Sequence, residues 1–218
     1  MATLKLAVLI SGSGTNLQAL IDACAADDFP AEITLVVANR PGAFGLERAR
    51  KAGIETVTID HTAYPDREAF EDALHEALSA AKVQLVCMAG FMRILTAGFV
   101  RRWQDRLINI HPSLLPAYRG LNTTERAIED GVRFAGCTVH YVRPDVDTGP
   151  IIIQAAVPVL TDDTADTLSA RILTQEHIIY PEAVRLIASG KARVRGHKVI
   201  IDDMPVPDGA YIAPVPAS

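Results

Sequence analysis

Short apolar runs alternate with stretches in which apolar residues recur every three to four positions, and this alternation organises the first half of the chain. Leu4 to Ile10 is a compact apolar run halted by glycines, as expected of a buried strand. Asn16 to Ala26 places Leu17, Leu20, Ile21 and Cys24 on one helical face. Ile33 to Ala38 and Ile54 to Ile59 read as strands, with a short helix, Phe44 to Ala52, between them. After Asp66, a natural N-cap, the residues Phe70, Leu74, Ala77, Leu78 and Ala81 trace a longer helix. Val83 to Ala89 is apolar except at Gln84 and so reads as a central strand. This rhythm predicts a Rossmann-like, doubly wound, mostly parallel α/β sheet with right-handed crossovers. Ligands of such sheets sit beyond the carboxyl ends of the strands, here the loops after Ile10, Ala89 and Ile110.

The second half changes character. Arg106 to Ile110 predicts a fifth strand, followed by a loop to Leu121 and a helix near Thr123 to Asp130. Cys137 to Val142 and Ile151 to Val159 are strands separated by only eight residues, a link short enough to favour an antiparallel pair. A long helix over Thr164 to Ala188 and a hairpin around Lys191 to Ile201 complete one domain over residues 1–203, with a Pro-rich tail at 204–218.

Composition adds exclusions. A net charge of −5 disfavours a general nucleic-acid surface, and no stretch is long enough for a membrane span. The three cysteines are dispersed, which fits a reducing, cytoplasmic compartment and neither a disulfide framework nor a metal site. The six histidines show no metal-ligand spacing.

Candidate chemistry clusters at the expected sheet edge. The loop Ser11-Gly12-Ser13-Gly14-Thr15-Asn16 lacks the lysine of a P-loop. It also lacks the third glycine of a dinucleotide fingerprint, and Asn39 stands where that fingerprint needs an acid. Two readings remain: a cradle for one phosphate at Gly14, Thr15 and Asn16, or a tight turn capped by Thr15 or Asn16. In Asn109-Ile110-His111-Pro112, the two-residue repeat of a strand points Asn109 and His111 to the same side. An amide donor and an imidazole at that edge suit acyl transfer. Asp145 and Asp147 lie in a turn cluster where one carboxylate could hold a charged histidine; Asp145 reads as a turn residue, and spacing leaves Asp147 open. No serine, cysteine or lysine stands out as a covalent nucleophile, which favours direct attack by a substrate amine. Glu176 falls on the apolar stripe of the long helix, where it must meet a ligand amine or an internal arginine. Gly90 to Leu95 either lines a slot for a flat ligand or packs against the following helix.

Taken together, Ser11-Gly-Ser-Gly-Thr-Asn16, Ala89-Gly-Phe-Met-Arg-Ile-Leu95, Asn109-Ile-His-Pro-Ser-Leu-Leu-Pro116 and Asp147-Thr-Gly-Pro150 resemble the folate-dependent formyltransferases over roughly residues 4–190. The glycine loop narrows the likeness to the glycinamide ribonucleotide branch or its formyltetrahydrofolate-hydrolysing relative. The resemblance implies the formyltransferase fold, 10-formyltetrahydrofolate as donor without a metal, and glycinamide ribonucleotide as acceptor in purine biosynthesis. It implies Gly14, Thr15 and Asn16 at the ribonucleotide phosphate and Glu176 at the glycinamide end. Met92, Arg93, Ile94 and Leu95, with Phe91 and Val100 beside them, would line the folate slot. Asn109 and His111 would stabilise the tetrahedral intermediate, with Asp147 orienting His111 and relaying protons. Thr124, where the family pattern leads one to expect histidine, its neighbour Asn122, and Leu173, where a polar residue is expected, depart from it on the acceptor side. The alternatives are hydrolysis of the same donor, disfavoured because Met1 leaves no room for a preceding regulatory domain, and a non-catalytic phosphate-ligand module. A methionyl-tRNA-directed formyltransferase would need a basic C-terminal domain that the Pro-rich tail does not supply.

Overall fold

The computed structural model describes residues 3–202, 209, 212 and 213, so most of the tail expected at 204–218 lies outside the described residues. The chain begins with β1 (Leu4–Ile10), α1 (Thr15–Cys24), β2 (Ala31–Ala38), α2 (Gly45–Lys51) and β3 (Thr56–Thr58). A 3₁₀ turn at His61–Ala63 precedes α3 (Arg67–Ala80), β4 (Leu85–Met88), α4 (Ala97–Arg102) and β5 (Leu107–His111). Then come α5 (Thr123–Glu129), β6 (Phe134–Tyr141), β7 (Ile151–Pro158), the long α6 (Ala165–Ala188) and the hairpin β8 (Ala192–Arg195) and β9 (Lys198–Ile201).

Seven strands form one sheet in the order β3-β2-β1-β4-β5-β6-β7. Pairing is parallel as far as β5, while β6 runs antiparallel to both β5 and β7. The sheet is therefore the expected mostly parallel one with an antiparallel strand in the C-terminal half.

Sheet burial on both faces explains the unbroken apolar runs. Leu6, Val8 and Ile10 of β1 pack with Leu17, Leu20, Leu46, Leu168 and Ile172 from α1, α2 and α6. Ala7 and Leu9 face the other way, onto Phe70, Leu74, Phe99 and Trp103 of α3, α4 and the residue after it. Each large side chain so enclosed contributes about 1.5–3 kcal/mol, so a polar residue on either face of a central strand would be costly. Asp66 caps α3 as expected, its carboxylate accepting from Ala69 N at 2.8 Å.

Some boundaries moved. The third strand shrinks from the expected Ile54–Ile59 to three residues, because as the edge strand it pairs only with Val36–Ala38. The sixth begins three residues early, since Phe134–Gly136 still find partners in Ala156–Pro158. His111 belongs to β5 itself, paired opposite Thr138, rather than to the loop beyond the strand.

The chain leaves β3 at one edge and re-enters the sheet at β4 on the far side of β1. This reversal opens a crevice at the carboxyl ends of β1 and β4, where the flanking connections diverge to opposite faces. Tyr180 of α6 is fully buried and donates its hydroxyl to Met88 O at 2.9 Å, which fixes the long helix against the floor of that crevice.

Candidate active site

At the end of β1 the glycine loop turns directly into α1. Gly14 is the N-cap residue, with φ 69°, and no side chain caps the helix, so of the two readings of this loop the turn capped by Thr15 or Asn16 is not formed. Glycine is required at this point on two counts. Its φ is left-handed, and a Cβ would stand 2.7 Å from Gly45 Cα. The Arg48 side chain braces the same loop by donating from Nε to Ser13 O at 2.9 Å. An uncapped first turn beside a glycine loop leaves backbone N–H groups free to meet an anion.

Asn16 turns its side chain inward instead. Its Nδ2 donates to Glu176 Oε2 at 2.6 Å across 160 positions of sequence. Glu176 is only 6% exposed, and burial raises its carboxyl above the ordinary value against the opposing pull of the Asn16 bond. Among the described residues the partner is Asn16, and no arginine or other cation pairs with this carboxylate. Asn16 Oδ1 is buried without a hydrogen-bond partner among the described residues.

A polar cluster is built from β5, β6 and the turn before β7. Asn109 and His111 share one face of β5, as the strand repeat requires, and Asn109 lies directly opposite His140 of β6. His111 Nε2 meets the Tyr118 carbonyl at 2.9 Å; a carbonyl only accepts, so that nitrogen carries a proton. The other ring nitrogen, Nδ1, faces Asp147 Oδ2 across 3.5 Å. His140 is oriented likewise, its Nδ1 donating to Tyr141 O at 3.0 Å. Its Nε2 thereby faces Asp147 Oδ1 at 3.6 Å and Asn109 Nδ2 at 3.4 Å. Gly120 N–H adds a bond to Asp147 Oδ2 at 2.9 Å.

The turn 143–150 decides between the two aspartates. Gly149 packs so close to β6 that a Cβ would lie 1.6 Å from Tyr141 O, and Asp147 adopts φ 52°. Together they fold the Asp147 carboxylate back over the histidines, while Asp145 remains exposed. Burial raises the Asp147 carboxyl, but the His140 contact, the Gly120 N–H and the histidine charges carry it below its ordinary value. Burial pushes His111 below its usual 6.5, outweighing the Tyr118 carbonyl and the Asp147 charge. His140 went unnoticed in the sequence. The two strands were visible, but the register that sets it opposite Asn109 was not.

One cleft of about 690 Å³ takes in Asn16, Glu176, Asn109, His111, His140 and Asp147, together with Phe91 to Leu95 and Val100. Along the loop after β4 the side chains alternate: Phe91 and Leu95 are buried, whereas Met92 and Ile94 are 65% and 63% exposed at the cleft wall. Asn16 and Glu176 enter from the α1 and α6 face, and the apolar loop enters from the α3 and α4 face. Gly14 and Thr15 do not line the cleft; they lie one and two residues before Asn16, at the start of α1.

Asn122 borders the cleft with φ 56°. Thr124 instead lines a smaller cavity of about 190 Å³ behind it, and its hydroxyl accepts from Ser169 Oγ at 3.2 Å. Leu173 is half-buried and touches neither cavity. No helix among the described residues is long and apolar enough to cross a membrane.

An open, doubly wound sheet with an amide, two imidazoles and a carboxylate gathered beyond its strand ends defines an α/β group-transfer domain. The chain belongs to the formyl transferase family, whose model matches residues 4–184. It is 43% identical over 210 residues to the phosphoribosylglycinamide formyltransferase of Escherichia coli (strain K12), covering 96% of this chain and 99% of that one. The trifunctional purine biosynthetic protein adenosine-3 of Drosophila melanogaster is 50% identical over 192 residues, which span 87% of this chain but 14% of that protein. Among solved structures, glycinamide ribonucleotide transformylase 1 from Symbiobacterium toebii superposes with a TM-score of 0.90 at 51% identity, over 92% of this chain and 95% of that one.

Proposed function

We propose that this protein transfers the formyl group of 10-formyltetrahydrofolate to the primary amine of glycinamide ribonucleotide, a step of de novo purine biosynthesis. The observation that carries this reading is one cleft that joins Asn16 and the carboxylate of Glu176 to an apolar wall, is lined by Asn109, His111 and Asp147, and has the uncapped start of α1 beside it. Two ligands of opposite character can meet there: a phosphorylated amine and a flat, largely apolar donor. Full-length similarity to phosphoribosylglycinamide formyltransferases supports the same assignment.

In this reading the ribonucleotide phosphate lies against Gly14, Thr15 and Asn16 at the start of α1, and Glu176 takes the glycinamide end. The pterin portion of the donor lies along Met92, Arg93, Ile94 and Leu95, over a floor of Phe91 and Val100. The amine nitrogen attacks the formyl carbon, forming one C–N bond and placing negative charge on the formyl oxygen. Asn109 donates to that oxygen, which competes with the Tyr118 carbonyl for the proton on His111 Nε2. Asp147 accepts the proton leaving the amine and returns it to N10 of the departing tetrahydrofolate as the second C–N bond breaks. His140 keeps Asp147 and Asn109 aligned with each other.

The test is a steady-state assay of 10-formyltetrahydrofolate consumption with and without glycinamide ribonucleotide. Turnover that depends on the ribonucleotide and yields its formyl derivative is the expected result. Turnover indifferent to it would mark a hydrolase, and none under either condition would mark a binding module.

A further inference from the structure

We infer that Glu71 and Ser11 are positioning residues for the donor wall: two buried side chains from outside the segment hold residues 91–96 in the shape that forms the slot. This inference rests on the reading of that wall as the donor site.

The segment between β4 and α4 has no regular hydrogen-bonded structure, and its one internal backbone bond runs from Arg93 N to Phe91 O at 2.9 Å. Its alternation of buried Phe91 and Leu95 with exposed Met92 and Ile94 must therefore be imposed from elsewhere. Two polar attachments do so. At the upstream end, Met92 N donates to Ser11 Oγ at 2.8 Å, and Ser11 in turn donates to Asn39 Oδ1 at 2.6 Å. At the downstream end, Thr96 N donates to Glu71 Oε1 at 2.7 Å, and the Thr96 hydroxyl donates to Glu71 Oε2. Thr96 Oγ1 also accepts from Phe99 N at 3.2 Å, so the same residue starts α4 and places Val100 beneath the slot.

Both anchors are interior groups, Ser11 5% and Glu71 3% exposed. Neither lines the cleft, so neither touches a ligand there. Glu71 offers two charged acceptors to two donors; glutamine keeps a neutral acceptor for Thr96 N and reverses the bond to the Thr96 hydroxyl, so both charge-assisted bonds are lost. An alternative bland role, general stabilisation of the packing of α3 on α4, predicts loss of folded protein without any preference between substrates.

The two anchors differ in a way that makes the idea testable. Among the described residues, the side-chain hydrogen bonds of Glu71 go only to Thr96 of the donor wall. Ser11 belongs to the glycine loop as well, so it ties the wall to the acceptor cradle. In the full-length protein, Glu71→Gln should weaken binding of 5-formyltetrahydrofolate, used as an unreactive probe, by roughly tenfold, the usual size of a lost charge-assisted hydrogen bond. The KM for 10-formyltetrahydrofolate should rise by a similar factor, while the KM for the ribonucleotide and kcat at saturating donor stay within about threefold. Thr96→Val should reproduce this pattern and add little to Glu71→Gln in the double variant, whereas Thr96→Ser should behave as the parent. Ser11→Ala should raise both KM values. Unchanged probe binding in Glu71→Gln and Thr96→Val, or equal losses toward both substrates, would overturn the inference. A parent protein that binds no folate would overturn the reading of the wall itself, and the inference with it.

Discussion

Asp147 offers the sharpest test of the reacting cluster, because asparagine at that position removes its charge while leaving its shape. The amide oxygen of Asp147→Asn can keep the Gly120 N–H bond of 2.9 Å from the Oδ2 position, and its N–H₂, at the Oδ1 position, would face His140 Nε2, which can accept. The fold should therefore survive. What disappears is the attraction between the carboxylate and the positive charge that develops on His111 as its Nε2–H bonds the formyl oxyanion. At the 3.5 Å separation and an effective dielectric near 20, that attraction is about 5 kcal/mol. The Tyr118 carbonyl still supports the charged ring and water can relax into the cleft, so roughly half of it, about 2–3 kcal/mol, should appear in the barrier. The expected result is a fall in kcat of about 30- to 150-fold with both KM values within about threefold of the parent. Tetrahydrofolate formation, followed by absorbance at saturating donor and ribonucleotide, measures it directly. A kcat within threefold of the parent, or a loss confined to KM, would refute the role given to Asp147.

Glu176→Gln should raise the KM for the ribonucleotide by about tenfold or more and spare the donor KM, since it removes charge from the acceptor end alone; equal effects on both substrates would contradict the assignment. The folded pKa of His111 lies below its ordinary 6.5, so as pH falls the unfolded chain takes up its proton first. Stability tied to this residue is thus complete above about pH 6.5 and is lost below it, and His111→Asn should flatten the drop in thermal midpoint between about pH 7 and 5. An unaltered slope would show that His111 bears none of that linkage. Gly14→Ala should cost about 2 kcal/mol or more of unfolding free energy, from left-handed strain together with the 2.7 Å approach to Gly45 Cα. Denaturant titration checks this, and a loss below about 0.5 kcal/mol would refute it.

Local pattern was enough to determine the order of strands and helices and the sheet edge where the polar cluster lies. Strand alternation alone placed Asn109 and His111 on one face, and unbroken burial of β1 and β4 on both faces produced the apolar runs that marked them as central. The likeness of four motifs to a known family pointed to the substrates. Contacts between residues far apart in the chain were decided only by the tertiary structure, because each depends on strand register or on the path of a turn. The β5–β6 register sets His140 opposite Asn109, and the tight passage at Gly149 turns Asp147 inward while Asp145 faces solvent. The packing of α6 along the sheet unites Asn16 with Glu176, and the approach of α3 and the glycine loop to residues 91–96 joins Glu71 to Thr96 and Ser11 to Met92. A polar side chain in a buried stripe announces that it needs a partner, since burial without one is costly. Which partner it meets is settled only when the layers close over it.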